Sequence, residues 1–111
     1  MKSKTDYSVY EKIIEQTTGR VLYKEYKFLK KRKFKFDYAF PDDMLAIEIE
    51  GGIWTSGRHI RAVGFLKDME KYNLAAANGW RLLRFSPQNM LLGTNIDLVV
   101  QALNNSDRHN V

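Results

Sequence analysis

A single α/β domain with a mixed sheet flanked by helices is predicted by three observations on the sequence. Hydrophobic patterning runs in the order helix, three strands, helix, strand, helix. The links between the first three strand-like runs are too short for parallel crossovers, so these strands form an antiparallel meander. A helix-length segment separates the fourth strand from the third, which favours parallel pairing through a crossover. For a chain of 111 residues this is one small domain, expected over 1–104, with 105–111 as a disordered tail.

The elements follow in order. Asp6 is placed to cap a first helix running to about Thr17, with Tyr7, Tyr10, Ile13, Ile14 and Thr17 as its buried stripe and Gly19 as its stop. Val21 to Phe28 mixes β-branched, aromatic and charged residues as a strand does. Leu29–Lys33 then makes a basic loop at the end of the sheet. In the second strand Phe34, Phe36, Tyr38 and Phe40 alternate with Lys35, Asp37 and Ala39, the period of a half-buried strand with its aromatic rings on one face. Pro41-Asp42-Asp43 supplies turn chemistry. In the third strand Leu45, Ile47 and Ile49 alternate with Ala46, Glu48 and Glu50, and Gly51-Gly52 ends it.

Residues 51–63 are expected to be a long loop holding Trp54, Arg58, His59 and Arg61. Such a loop leaving an acidic strand is more often functional than a plain connector. His59 fits a metal ligand, a general base, a phosphate contact or a residue that only hydrogen-bonds the loop. Gly64 to Asn78 reads as helix, with Phe65, Met69, Tyr72 and Ala76 as the buried stripe and Leu66 and Ala75 beside it. Asp68 and Lys71, three apart, are expected to pair at the surface. Trp80–Phe85 is the fourth strand. A last helix from Thr94 to Leu103 buries Ile96, Val99, Val100 and Leu103, with Thr94 as cap and Asp97 as a short capping-box acid.

Composition narrows the chemistry. There is no cysteine, which excludes disulfides, thiolate metal sites and a cysteine nucleophile. No signal peptide and no apolar run long enough to span a bilayer is visible, so a cytoplasmic protein without a membrane partner is expected. The net charge is +5, and it is unevenly spread. Lys24, Lys27, Lys30, Lys31, Arg32, Lys33 and Lys35 precede the acids Asp37, Asp42, Asp43, Glu48 and Glu50. A basic surface beside an acidic cluster suits an enzyme that acts on a polyanion with a cation cofactor. It equally suits a solvated face that guards an edge strand.

Spacing by two puts Glu48 and Glu50 on one face of their strand, and Asp37 sits on the non-aromatic face of its own. Paired as a hairpin, the two strands can bring three carboxylates together. Like charges so placed repel unless a cation or a raised pKa relieves them. Hard oxygen donors without cysteine point to Mg²⁺, with Mn²⁺ able to substitute, rather than to zinc. Solvent-facing glutamates on a one-sided sheet are the plainer alternative.

The ordered set Phe34-Lys35-Phe36-Asp37-Tyr38-Ala39-Phe40-Pro41, Leu45-Ala46-Ile47-Glu48-Ile49-Glu50-Gly51-Gly52, Gly57-Arg58-His59, Arg61, Gly64-Phe65, Asp68, Lys71-Tyr72-Asn73 and Gly79–Phe85 resembles the PD-(D/E)XK nuclease superfamily. Within it, the chain is similar to the branch of very-short-patch-repair-type and stand-alone phage endonucleases, over roughly Tyr10 to Pro87. The resemblance implies a restriction-endonuclease-like core and a Mg²⁺-dependent endodeoxyribonuclease that hydrolyses phosphodiester bonds. It makes Asp37 and Glu48 metal ligands and puts Glu50 where many members carry a catalytic lysine. That departure leaves Glu50 as a further ligand or base, and Lys71, on the following helix, as the substitute lysine. Glu11 would match a first-helix glutamate that supports the metal through water.

On this reading Lys30, Lys31, Arg32, Lys33, Arg58, His59 and Arg61 contact DNA, and Trp54 stacks on a base. The cut is directed by a junction, nick or mismatch, or is a nick in plain duplex, by a homodimer or a monomer. The alternatives are a non-catalytic DNA-binding protein on the same fold and, more remotely, a regulatory protein whose basic face meets an acidic partner.

Overall fold

A computed structural model describes residues 6–51 and 58–105, with 58–63 described as backbone only. The described residues form α1 (Ser8–Thr18), β1 (Tyr23–Lys27), β2 (Lys35–Phe40), a 3₁₀ turn (Pro41–Asp43), β3 (Leu45–Ile49), α2 (Arg58–Ala77), β4 (Arg81–Phe85) and α3 (Gly93–Asn105). The strands make one sheet in the order β1-β2-β3-β4. β1–β2 and β2–β3 are antiparallel and β3–β4 is parallel, as the short links and the helical crossover require. The result is a mixed α/β domain with helices on both faces of the sheet. Among the described residues no helix is long and apolar enough to cross a membrane.

Each face of the sheet has its own core. α1 and α3 cover one face, where Tyr10, Ile14, Tyr38, Leu45, Ile47, Val99 and Leu103 are buried together. α2 covers the other, over a smaller cluster of Phe36, Ala39, Ala46 and Ala75, with Tyr26, Phe28, Trp80 and Leu82 at its margin. α1 ends where Gly19 adopts φ +69° and its N–H returns to the Glu15 carbonyl at 2.8 Å, a left-handed stop that favours glycine. Ile14 is fully buried at the centre of the larger core. Ile14→Ala is expected to cost about 3 kcal/mol, read as a lower urea midpoint with an unchanged slope.

Several expectations are corrected. The second-strand rings do not share a face: Phe36 lies under α2, whereas Tyr38 and Phe40 lie under α1 and α3. The β1–β2 ladder pairs Lys24 with Tyr38 and Tyr26 with Phe36, and skips Glu25 and Asp37 between them. Glu25 has φ +47°, so both strands take an irregular step there and the side-chain alternation reverses.

Residues 58–63 are helix rather than loop, and α2 therefore starts six residues before Gly64. Its buried side is also different. Phe65, Leu66 and Met69 are exposed (63%, 64% and 46%), Ala76 is exposed, and the sheet is met by Lys71, Tyr72 and Ala75. The cause is length. A helix of 20 residues spans about 30 Å, while a strand of 5 residues spans about 17 Å. The N-terminal half of α2 overhangs the sheet. Lys71 accordingly pairs with Glu48 and not with Asp68. Thr94 is inside α3, which opens at Gly93, with the Leu92 carbonyl accepting the N–H groups of Asn95 and Ile96. Residue 105, placed in the tail by sequence, ends that helix.

Candidate active site at the opening of the β2–β3 ladder

β2 and β3 pair at Tyr38–Ile47, Ala39–Ala46 and Phe40–Leu45, and the ladder stops there. Beyond that point two carboxylates take over the backbone's role. The Asp37 N–H donates to Glu48 Oε2 at 2.8 Å, and the Ile49 N–H donates to Asp37 Oδ2 at 2.8 Å. The irregular step at Asp37 makes this exchange available, because it frees the Asp37 N–H from the ladder. β3 meanwhile stays anchored to β4 through Glu48–Arg84 and Ile49–Phe85. Asp37 and Glu48 are thus held beside each other on a rigid sheet.

Glu48 is 4% exposed, a charged residue buried in the core. Its Oε1 accepts from Lys71 Nζ and, at 3.4 Å, from the Tyr72 hydroxyl. Burial raises the Glu48 pKa above the usual carboxylate range; Lys71 and the Asp37 N–H oppose the rise, and the Asp37 charge adds to it. The Lys71 ammonium is itself mostly buried, between the rings of Phe36 and Tyr72 at 5.7 and 5.6 Å. Tyr72 stays a protonated donor, pushed up by burial and then by the charge of Glu48.

Glu50 is engaged differently. Arg84 grips it with a two-pronged fork, Nε to Oε2 at 2.9 Å and Nη2 to Oε1 at 2.6 Å, and lies 4.7 Å over the Tyr72 ring. That fork raises the Arg84 pKa further. Asp37 and Glu48 are therefore brought together, and Glu50 is turned to a guanidinium. Among the described residues, no group of three acids lies close enough to hold a metal ion by itself. Asp37 and Glu48 nonetheless fit a hard cation: the donors are all oxygen, one is exposed and the other is fixed. Mg²⁺ commonly needs only one or two protein carboxylates besides water and phosphate oxygens. Glu50 has both oxygens on Arg84, and Glu48 has its own on the Asp37 N–H and on Lys71 with Tyr72, so either would exchange a protein partner for the cation.

Asp37 also fronts an open cleft of about 770 Å³, lined among others by Tyr7, Glu11, Lys24, Tyr38 and Ile49. Glu11 accepts the Tyr38 O–H at 2.7 Å and lies 3.6 Å from Lys24 Nζ. Burial, then that bond to Glu11, keeps Tyr38 protonated. α1 thus places Glu11 on the wall that Asp37 faces, although its described partners are a tyrosine and a lysine.

In the basic loop Lys30, Lys31 and Lys33 are exposed. Arg32 is already paired with Glu70 at 2.8 Å and covers Phe34 at 4.8 Å. Arg58, His59 and Arg61 lie in the first turns of α2, their side chains outside the described set, and Trp54 lies outside the described residues altogether. Arg84 and Tyr72 are the site residues that sequence reasoning missed. The signal was present, since a parallel β3–α2–β4 crossover must lay the Arg81-Leu82-Leu83-Arg84 strand beside Glu48-Ile49-Glu50.

Comparison with family models, curated proteins and solved structures finds no match to the chain.

Proposed function

We propose that the protein is a metal-dependent endodeoxyribonuclease of the PD-(D/E)XK type, with a restriction-endonuclease-like core, cutting or nicking DNA at a junction, nick or mismatch. The observation that carries this reading is the meeting of Asp37, Glu48 and Lys71 where the ladder opens. Two adjacent acids with a lysine on one of them are the set that phosphodiester hydrolysis needs, and of the three Asp37 lines the cleft. Mg²⁺ or Mn²⁺ held by Asp37 and Glu48 supplies Lewis-acid polarisation of the phosphate and an acidified water.

The chain's own residues do the rest. Lys71 compensates the buried Glu48 charge and stands ready to meet charge that develops on a phosphate oxygen. Tyr72 and Arg84 hold the flank of the site, with Arg84 balancing Glu50 so that it does not add repulsion to Glu48. Glu11 fixes the Tyr38 hydroxyl, and Lys24 sits at the cleft edge as a phosphate contact.

The test is incubation with supercoiled plasmid and a four-way junction in Mg²⁺, Mn²⁺ or EDTA. Metal-dependent nicking or cleavage is expected; binding without any cutting on these substrates would favour a non-catalytic DNA-binding protein instead. The Glu50–Arg84 fork speaks for that second reading, because it neutralises the position where related nucleases carry a lysine. Either way, replacing Lys30 and Lys31 by alanine should reduce the slope of log affinity against log salt by about 1.8 on duplex DNA. An unchanged slope would put the phosphate track elsewhere.

A further inference from the structure

β1 is an edge strand of the sheet, and its two faces carry different chemistry. On the α2 side runs a row of rings. Tyr23 meets Tyr26 edge-on at 6.1 Å, Tyr26 meets Trp80 at 5.7 Å, and Phe28 lies between Trp80 at 6.3 Å and Phe36, on which it stacks at 4.2 Å. Phe28 and Trp80 cover the buried Phe36, which a core requires. Tyr23 covers nothing comparable and is half exposed at the outer end of the row.

On the other face Lys27 and Lys35 stand directly opposite each other across the β1–β2 ladder. Like charges in that position are destabilising. Both are exposed, and the exposed Lys30, Lys31 and Lys33 follow in the loop that joins the two strands. An edge strand that carries aromatic rings on one face and exposed lysines on the other meets the two needs of a single nucleic-acid strand, stacking for bases and charge for phosphates. A duplex uses the lysines but keeps its bases from the rings.

We infer that the β1 edge binds single-stranded nucleic acid, with bases on Tyr23 and Tyr26 and phosphates on Lys27 and Lys35. The inference rests on the nuclease reading for DNA as the polymer, and it makes a single-stranded arm part of the substrate. The strand lies against the same β1–β2 pair whose irregular step at Glu25 and Asp37 opens the candidate site, so a bound arm leads toward the cut.

The experiment is fluorescence anisotropy in EDTA with a labelled oligothymidylate and a duplex of equal length. Tyr23→Ala, at an exposed position, is expected to weaken oligothymidylate binding roughly fivefold or more, and duplex binding by less than about twofold. Lys27→Ala with Lys35→Ala should lower the salt slope on the single strand by about 1.4. Wild-type affinity for the single strand in Tyr23→Ala, or no binding of oligothymidylate by the wild type, overturns the inference. Plasmid nicking in Mg²⁺ reads the nuclease proposal separately. Tyr23-dependent binding without cutting sinks that proposal alone, and cutting without such binding sinks this one alone.

Discussion

On the nuclease proposal, Asp37→Ala and Glu48→Ala are each expected to reduce metal-dependent nicking by about 10³-fold or more, while DNA binding in EDTA persists. The size follows from what is removed: losing a ligand forfeits several kcal/mol of charge stabilisation at the reacting phosphate, and about 4 kcal/mol is a factor of a thousand in rate. Alanine also strips the acceptor from the Asp37 N–H or the Ile49 N–H, so Asp37→Asn and Glu48→Gln are the companion variants. They keep an oxygen for each N–H and should remain as inactive as the alanine forms; Asp37→Asn is expected to fold as the wild type does, whereas Glu48→Gln leaves the Lys71 ammonium unpaired and folds with reduced stability. Full activity in Asp37→Asn and Glu48→Gln would remove the metal from the proposal.

The second large effect is on stability. Lys71→Met is expected to cost about 3–5 kcal/mol, because it leaves the buried Glu48 carboxylate without its cation. That is a large share of the roughly 5–15 kcal/mol by which a domain is stable. Adding Glu48→Gln to Lys71→Met should restore more than half of the loss, since a neutral amide needs no ammonium. The two variants and their double form a thermodynamic cycle, measured by urea unfolding in EDTA. Additive losses would mean that the two side chains do not interact. Lys71→Arg keeps the charge and separates the structural task from any part in turnover: near-native stability with a large fall in nicking assigns the ammonium to the reaction as well.

Element order, strand directions and the adjacency of Asp37 to Glu48 were legible in the sequence, because they follow from local periods and from link lengths. Lys71 was legible only through the resemblance, as a lysine on the helix after the acidic strand. Three things were not legible, each for a physical reason. The reversal of faces in β2 depends on a positive φ at Glu25 in the neighbouring strand, and nothing in the alternation of Phe34 to Phe40 announces it. The buried side of α2 was misread because hydrophobic periodicity assumes a surface to bury against. Phe65, Leu66 and Met69 are periodic, but the sheet ends beneath Lys71, and a polar pair takes the contact instead. The third is the fate of Glu50, which spacing put level with Glu48. Its partner, Arg84, comes from a strand 34 residues later in the chain.

The exchange of backbone bonds for carboxylate bonds at the ladder opening has an evolutionary consequence. Asp37 and Glu48 stitch β2 to β3 beyond the end of the strand pairing, so folding alone holds them in place, whatever chemistry they perform. On the nuclease proposal, a descendant that lost the need to cut DNA would drift first toward Asp37→Asn and Glu48→Gln, which preserve the stitch, and not toward apolar residues. Lys71 would drift with Glu48, because an amide at that position releases it. Loss of activity in this lineage would then read as a coordinated exchange of charge for amide at these positions, with the fold intact.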